Sequence, residues 1–532
     1  MTTTSRMLAI ALLSSAFATV TQAQDLGRVH FATSCTPQAQ EKFDRGLAMV
    51  HSFVYPDSVQ TFTEAAAADP QCAIAYWGIA ISHRPNPLIV PLAAAVLKNG
   101  WEAVEKGKTI GAKTERERDW LAAIELYYKD YDKVDQTTRG LAYEKAMEQL
   151  AQKYPDDPEA AIFYALALNE TALHSDKTYA KQLKAGAILE RISATLPEHP
   201  GVLHYLIHTY DYSPLAQRAL DAANKYAGVA PAAQHAQHMP AHTYSMLGLW
   251  SQSVEANTIS RQRAQEQAAR LWPGATHPSE PHHLDFAEYA LLQMGNEQQA
   301  RQLRDETIAI KKLGIENQLG SDTGLAAVPA RFALERQAWK EAAVLEPRAS
   351  VFPQAQAITY FARAMGAARS GDLDAAQQGL DKLKELRAAL DKANQSYWAG
   401  QVEIQMLAAA AWMAQAKGRI DEAAKLMRAA ADLEDNSEKH IAMENRLYPM
   451  RELLGDLLLE QLKPAAALSE YEASLQSTPN RLRGLYGAAK AAQAAGQSEK
   501  ATGYFRKLTE LTRASDSDRA ELREAKAFVG RQ

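Results

Sequence analysis

The stretch Pro197-Glu-His-Pro-Gly-Val-Leu-His204-Tyr-Leu-Ile-His208 is answered further on by Pro231-Ala-Ala-Gln-His235-Ala-Gln-His238-Met-Pro-Ala-His242. Positions 197 and 231, 204 and 238, and 208 and 242 each differ by 34. A proline and a histidine pair that recur together at one interval mark a repeat protein, built of small supersecondary units stacked on their neighbours. Histidines four residues apart share one face of a helix, so the unit is helical.

That interval is the period of the tetratricopeptide repeat, a helix–turn–helix unit. In its pattern, small residues let the two helices approach, an aromatic fills the gap between them, and a proline ends the second helix. Residues 43–70 form the first clear unit, with Gly46, Phe62, Ala65 and Pro70 in register. Cys72-Ala-Ile-Ala-Tyr-Trp77-Gly78 opens the next, and Pro155, Pro197 and Pro231 close later ones. Gly248-Leu-Trp250, Gly295-Asn-Glu297, Gly371-Asp-Leu and Gly418-Arg-Ile read as turns between paired helices. Toward the end, Ala467 and Ala501, and Tyr471 and Phe505, again differ by 34. The ruler predicts an all-α, tetratricopeptide-like α-solenoid, one continuous right-handed superhelix of about ten hairpins over residues 24–532. Longer loops or irregular helices are expected near 83–100, 262–281 and 311–352.

Residues 1–23 read as a signal peptide: Arg6 supplies a positive charge, residues 7–20 are apolar, and Thr21-Gln22-Ala23 is a cleavage site. No later stretch approaches the ~20 apolar residues of a membrane-spanning helix. A periplasmic or secreted mature chain without a membrane span is expected. Lys+Arg number 58 against Asp+Glu 63, a formal net charge of −5, which leaves no basic footprint for nucleic acid. Two cysteines, Cys35 and Cys72, flank the first unit. Without a Cys-x-x-Cys motif they are expected to form a structural disulfide, the alternative being a soft-metal or redox pair.

Setting each unit's closing proline at position 32 places His204 and His208 at positions 5 and 9. His235, His238 and His242 take positions 2, 5 and 9 of the following unit, and the turn at Gly295 gives His282 and Asp285 positions 2 and 5 of a third. Steps of three and four make these one stripe along the first helix of each hairpin. By resemblance to tetratricopeptide folds, that stripe lines the concave groove. Neighbouring helix axes lie ~8–10 Å apart, close enough for facing rings to meet. Imidazoles are common ligands of zinc, copper, iron and nickel. His204, His208, His235, His238, His242, His282 and Asp285 therefore form a candidate transition-metal site, with the ion (Zn, Cu or Fe) left open. Two alternatives stand beside it: a metal-free groove for an anionic or aromatic peptide, and structural histidines bonded to Tyr210, Tyr244 or Asp211. Glu452 and Asp456 occupy positions 5 and 9 of the unit closed by Pro479. They are candidate groove acids, or else a solvated face near a helix start.

The chain resembles a family of exported bacterial tetratricopeptide proteins with a histidine-rich groove. The resemblance rests on Cys72-Ala-Ile-Ala-Tyr-Trp-Gly-Ile-Ala, His204-Tyr-Leu-Ile-His208-Thr-Tyr-Asp, His235-Ala-Gln-His-Met-Pro-Ala-His242, His282-His-Leu-Asp285-Phe and Arg451-Glu-Leu-Leu-Gly-Asp-Leu-Leu-Leu. It implies the solenoid fold, export and a shared histidine-bearing groove, and it supplies no reaction.

No His-Glu-x-x-His, Gly-x-Ser-x-Gly, phosphate loop or dinucleotide fingerprint occurs. The leading expectation is a binding protein that grips a peptide or protein partner in its groove, with a metal as part of the site. A metal-dependent hydrolase or oxidoreductase using the same cluster, with Asp285, Glu255 or Glu288 as base, is the second reading. A metal-free interaction scaffold is the third.

Overall fold

A computed structural model describes residues 25–84, 86–89, 91–443 and 446–531. The expected signal peptide lies outside the described residues. Among them the chain is helical, with one isolated β-bridge between Thr276 and Leu313. No helix is long and apolar enough to cross a membrane.

The helices follow one another as pairs, from Pro37–His51 with Tyr55–Ala68 to Leu482–Ala494 with Ser498–Leu511, and Ala520–Val529 packs on the last. Twelve hairpins can be paired among the described residues, where the period alone gave about ten. The additional units hide where the pattern breaks. One closes with the 5-residue helix Trp339–Ala343, whereas the unit expected from Cys72 onward opens with the 9-residue helix Ile74–Ser82. The described residues among 83–93, and residues 344–352, lie outside the α-helices, whereas the 22-residue helix Trp250–Leu271 extends into the break expected at 262–281.

The period has a packing cause. A Cβ on Gly46 would lie 3.0 Å from the Phe62 ring, and one on Gly78 only 2.2 Å from it. Tyr471 is held in the same way between Gly455 and Gly487. An aromatic plug between three helices thus requires a residue without a side chain on both flanking helices, which fixes aromatic and glycine together. The turns at Gly248, Gly295, Gly371 and Gly418 all have positive φ, the left-handed cap that ends one helix before the next begins. Cys35 and Cys72 form a disulfide, with Cα atoms 5.0 Å apart, tying the segment before the first hairpin to the start of the second.

The inner wall of this superhelix is covered by its own chain. Pro37–His51 packs on Pro200–Thr209, and Glu280–Gln293 on Leu482–Ala494. A strap between the helices Ile420–Asp435 and Met450–Glu460 crosses the interior. In it, Glu438 donates its N–H to the His174 carbonyl at 2.9 Å, and its own carbonyl accepts the Tyr397 hydroxyl at 2.9 Å. Farther along, the Arg446 carbonyl accepts from Arg331 at 2.8 Å. The open groove expected from the repeat is therefore corrected. The histidine stripe faces inward, but it faces a filled interior.

Candidate metal centre

Three successive first helices carry the histidines. Pro200–Thr209 opens with proline at its first position, where no N–H is needed, and His199 caps it by accepting the Val202 N–H. Its inner face bears His204 and His208. Gln234–His238 and Pro240–Leu247 continue one another and are separated at Pro240, which has no N–H to return to the preceding turn. They present His235, His238 and His242. Glu280–Gln293 presents His282.

Six of the seven groups singled out from the register come together, as two adjacent triads. One ligand nitrogen each from His204, His208 and His235 lies within 4.8 Å of the others, and the same holds for His238, His242 and His282. The triads meet where the His208 and His242 ring centroids stand 5.6 Å apart. In each triad two rings are buried and the third, His235 or His282, is partly exposed. Phe53 packs against all three rings of the first triad, with centroids at 4.4, 5.9 and 5.2 Å. Phe286 does the same for the second, at 4.8, 4.8 and 5.0 Å.

Hydrogen bonds outside the cluster set the tautomers. Asn257 donates its amide to the Ser253 carbonyl at 2.7 Å, so its Oδ1 accepts the His238 Nδ1–H, also at 2.7 Å. His204 donates its Nδ1–H to the His51 carbonyl at 2.6 Å, and His242 donates to Asp211 Oδ2 at 2.8 Å. Each of these rings consequently keeps its proton on Nδ1 and has an unprotonated Nε2 on the inward side. The Nε2 atoms of His238 and His242 face each other at 3.0 Å, and those of His204 and His235 at 3.1 Å. Neither nitrogen of the buried His208 has a hydrogen-bond partner among the described residues.

Burial lowers the affinity of these rings for protons. It holds His204 and His282 at about 3, and neighbouring imidazoles add to the effect at His208, His235 and His238. At His242 burial outweighs the opposing pull of Asp211. Burial would raise the Asp211 carboxyl, yet Lys439, 3.1 Å from Oδ1, and His242 together hold it well below the usual carboxylate range. The rings are neutral near neutrality, the form that ligates. Among the described residues the triads offer imidazole nitrogens, which suit transition metals such as zinc, copper or nickel rather than magnesium or calcium.

Asp285 does not join the triads. Its carboxylate accepts from Arg331 at 2.8 Å, an ion pair with no surface exposure on the arginine side. Glu452 and Asp456 neither line a groove nor form a solvated face. Glu452 is buried and accepts from Arg481 at 2.7 and 3.0 Å, and the same guanidinium reaches Glu335 and the Tyr289 hydroxyl. Asp456 accepts the hydroxyls of Tyr471 and Tyr448 at 2.5 and 3.0 Å. As for the other candidate bases, Glu255 is exposed on an outer helix, and Glu288 is buried 3.8 Å from Arg331, its carboxyl pushed up by burial. A third cluster, His51, Glu159 and His199, is satisfied internally, since the carboxylate takes one ring at 2.9 Å and the other at 2.8 Å.

Sequence reasoning missed His51, Phe53, Asn257, Phe286 and Lys439. None shares the histidine period; only Phe286, one helical turn after His282, stood within reach of the register argument. Beside His208 lies a cavity of about 40 Å³ lined by His174, Asp211, Tyr212, Glu170 and Lys439.

No family model and no curated protein matches the chain. Among solved structures it is similar to Naa15/Naa10 bound to HypK-THB, at 12% identity over 93% of this chain and 91% of that one, with a TM-score of 0.24. It is also similar to a human IFIT1 dimer with m7Gppp-AAAA, at 11% identity, 82% and 90% coverage and a TM-score of 0.39. Yeast Tom70 gives 11% identity, 93% and 95% coverage and a TM-score of 0.33. The chain is an all-α solenoid of tetratricopeptide-like hairpins whose interior encloses two histidine triads.

Proposed function

We propose that the protein is an exported metal-binding solenoid, with a transition-metal ion held by His238, His242 and His282. The observation that carries this reading is the 3.0 Å approach of the His238 and His242 Nε2 atoms, with both Nδ1–H groups engaged outside the cluster. Imidazole nitrogens that converge in this way are the arrangement a transition-metal ion takes as ligands. Asp211 and Asn257 then act as the outer partners that orient ligating imidazoles in metal sites. Export rests on residues 1–23, and the Cys35–Cys72 disulfide supports an oxidising compartment.

Enclosure argues against a peptide lying along these rings, so a protein partner would dock on the outer helices, as helical-repeat scaffolds allow. The buried, unpartnered His208 and the cavity beside it favour a second reading, in which the ion keeps an open position for chemistry as an oxidoreductase or hydrolase. The test is elemental analysis of untagged protein against a His238→Ala/His242→Ala variant that retains its helical circular dichroism. At least one equivalent of transition metal in the parent and its loss in the variant are the expected result. Equal metal content in both would sink the reading.

A further inference from the structure

The first triad is walled by three consecutive residues at the end of the helix Pro37–His51. The His51 carbonyl takes the Nδ1–H of His204 at 2.6 Å. Ser52 accepts the Tyr226 hydroxyl at 3.1 Å, and the Tyr226 ring stacks on His204 with centroids 5.2 Å apart. Phe53 has a φ of 53°, the left-handed region that the turns at Gly248, Gly295, Gly371 and Gly418 fill with glycine. A bulky side chain is rarely held there, and such positions gather at functional sites. Here the ring it carries packs on His204, His208 and His235 together. The approach of this segment also dictates glycine on the facing helix, since a Cβ on Gly201 would lie 2.3 Å from His51 Nδ1.

Inside those walls His208 is 2 % exposed, and neither of its ring nitrogens has a hydrogen-bond partner among the described residues. A buried imidazole left so unsatisfied weakens the fold unless something binds it. We propose that His204, His208 and His235 hold a second transition-metal ion, separate from the one proposed for His238, His242 and His282. The two sites share no ligand, so this inference goes beyond the single ion of the previous section and stands or falls without it. The geometry suits ligation. Metal–nitrogen bonds of ~2.0–2.1 Å to a tetrahedral ion set neighbouring nitrogens ~3.3 Å apart. The Nε2 atoms of His204 and His235 already stand at 3.1 Å, and the triad as a set stays within 4.8 Å. His204 is preset for the task, because the His51 carbonyl keeps its proton on Nδ1 and leaves Nε2 unprotonated. That carbonyl does for the first triad what Asp211 and Asn257 do for the second. Three imidazoles on a four-coordinate ion leave one position for a water, the pattern of open zinc sites.

Full-length, untagged protein is stripped with a chelator, loaded with zinc, freed of loosely held ion by dialysis and assayed for zinc per chain. The expected result is two zinc ions in the parent. His208→Ala removes a buried ring and His235→Ala a partly exposed one, and with circular dichroism unchanged each should hold one. His238→Ala/His242→Ala should also hold one, and adding His208→Ala to it should leave none. If His208→Ala does not fold, His235→Ala decides. One zinc in the parent, kept in the first-triad variants and lost from His238→Ala/His242→Ala, would overturn the second ion and leave the centre of the previous section standing. One zinc with the opposite pattern would support the first triad and remove the ion proposed for the second. Zinc content equal to the parent's in both His208→Ala and His235→Ala would refute the first triad, as would a parent that holds no zinc. The centre of the previous section is judged separately, by the metal that the protein carries as isolated.

Discussion

Asp211 accepts the Nδ1–H of His242 at 2.8 Å with one carboxylate oxygen and holds Lys439 at 3.1 Å with the other. The carboxylate thus fixes a ring of the second triad and ties down the interior strap. Asp211→Asn keeps the shape while removing the charge, and metal affinity should fall by about 10–100-fold, the usual cost of losing such an outer partner. Competition with a chromophoric chelator measures it. Affinity within a factor of two of the parent would show that the ring needs no orienting carboxylate.

The metal-free protein should be acid-sensitive. In the folded chain His204 titrates near 3 rather than 6.5, and His208, His235 and His238 are also displaced downward by burial. Between the folded and unfolded values the unfolded chain binds protons that the folded chain refuses. Stability is therefore intact above about pH 6.5 and is lost as pH falls, by about 1.4 kcal/mol per pH unit for each such ring. Four rings together can exhaust a stability of ~5–15 kcal/mol within a few pH units. Urea midpoints for chelator-treated protein should drop steeply between pH 6.5 and 4. A flat profile across that window would mean the rings are not buried as neutral groups.

Arg481 has no surface exposure and serves Glu452, Glu335 and Tyr289 at once. Arg481→Ala would strand two buried carboxylates and should cost about 3–5 kcal/mol. Arg481→Met with Glu452→Leu and Glu335→Leu replaces the charges by apolar groups and should recover most of that loss. Thermal or urea unfolding of the two variants decides, and a single variant as stable as the parent would show the network to be dispensable.

The repeat was legible because it has a steric cause. Aromatic plugs such as Phe62 and Tyr471 require glycine on the neighbouring helices, and such requirements recur with the unit. The inward stripe was legible for the same reason, since His204, His208, His238 and His242 inherit their direction from the period. What could not be read was everything brought in from outside the period. The His51 carbonyl that fixes His204 arrives from the first hairpin, and Lys439 arrives from a strap that belongs to no hairpin. Asp285, Glu452 and Asp456 show the matching error. Their register was right and they do point inward, but Arg331, Arg481 and two tyrosine hydroxyls were waiting for them there. A helical wheel gives the direction of a side chain and says nothing about which charge the superhelix folds back against it.

A solenoid ordinarily assembles neighbour by neighbour, and a partial array is already a partial product. Here His51 meets Tyr205 across 154 residues and Lys177 meets Glu438 across 261. Contacts that distant in sequence delay folding until both ends exist. A nascent chain that stops short of residue 439 has the six imidazoles without the lysine that braces Asp211. If the proposed ion binds, its loading would accordingly be a late event, reserved for the finished polypeptide, and a shortened fragment would be a poor substitute for the whole.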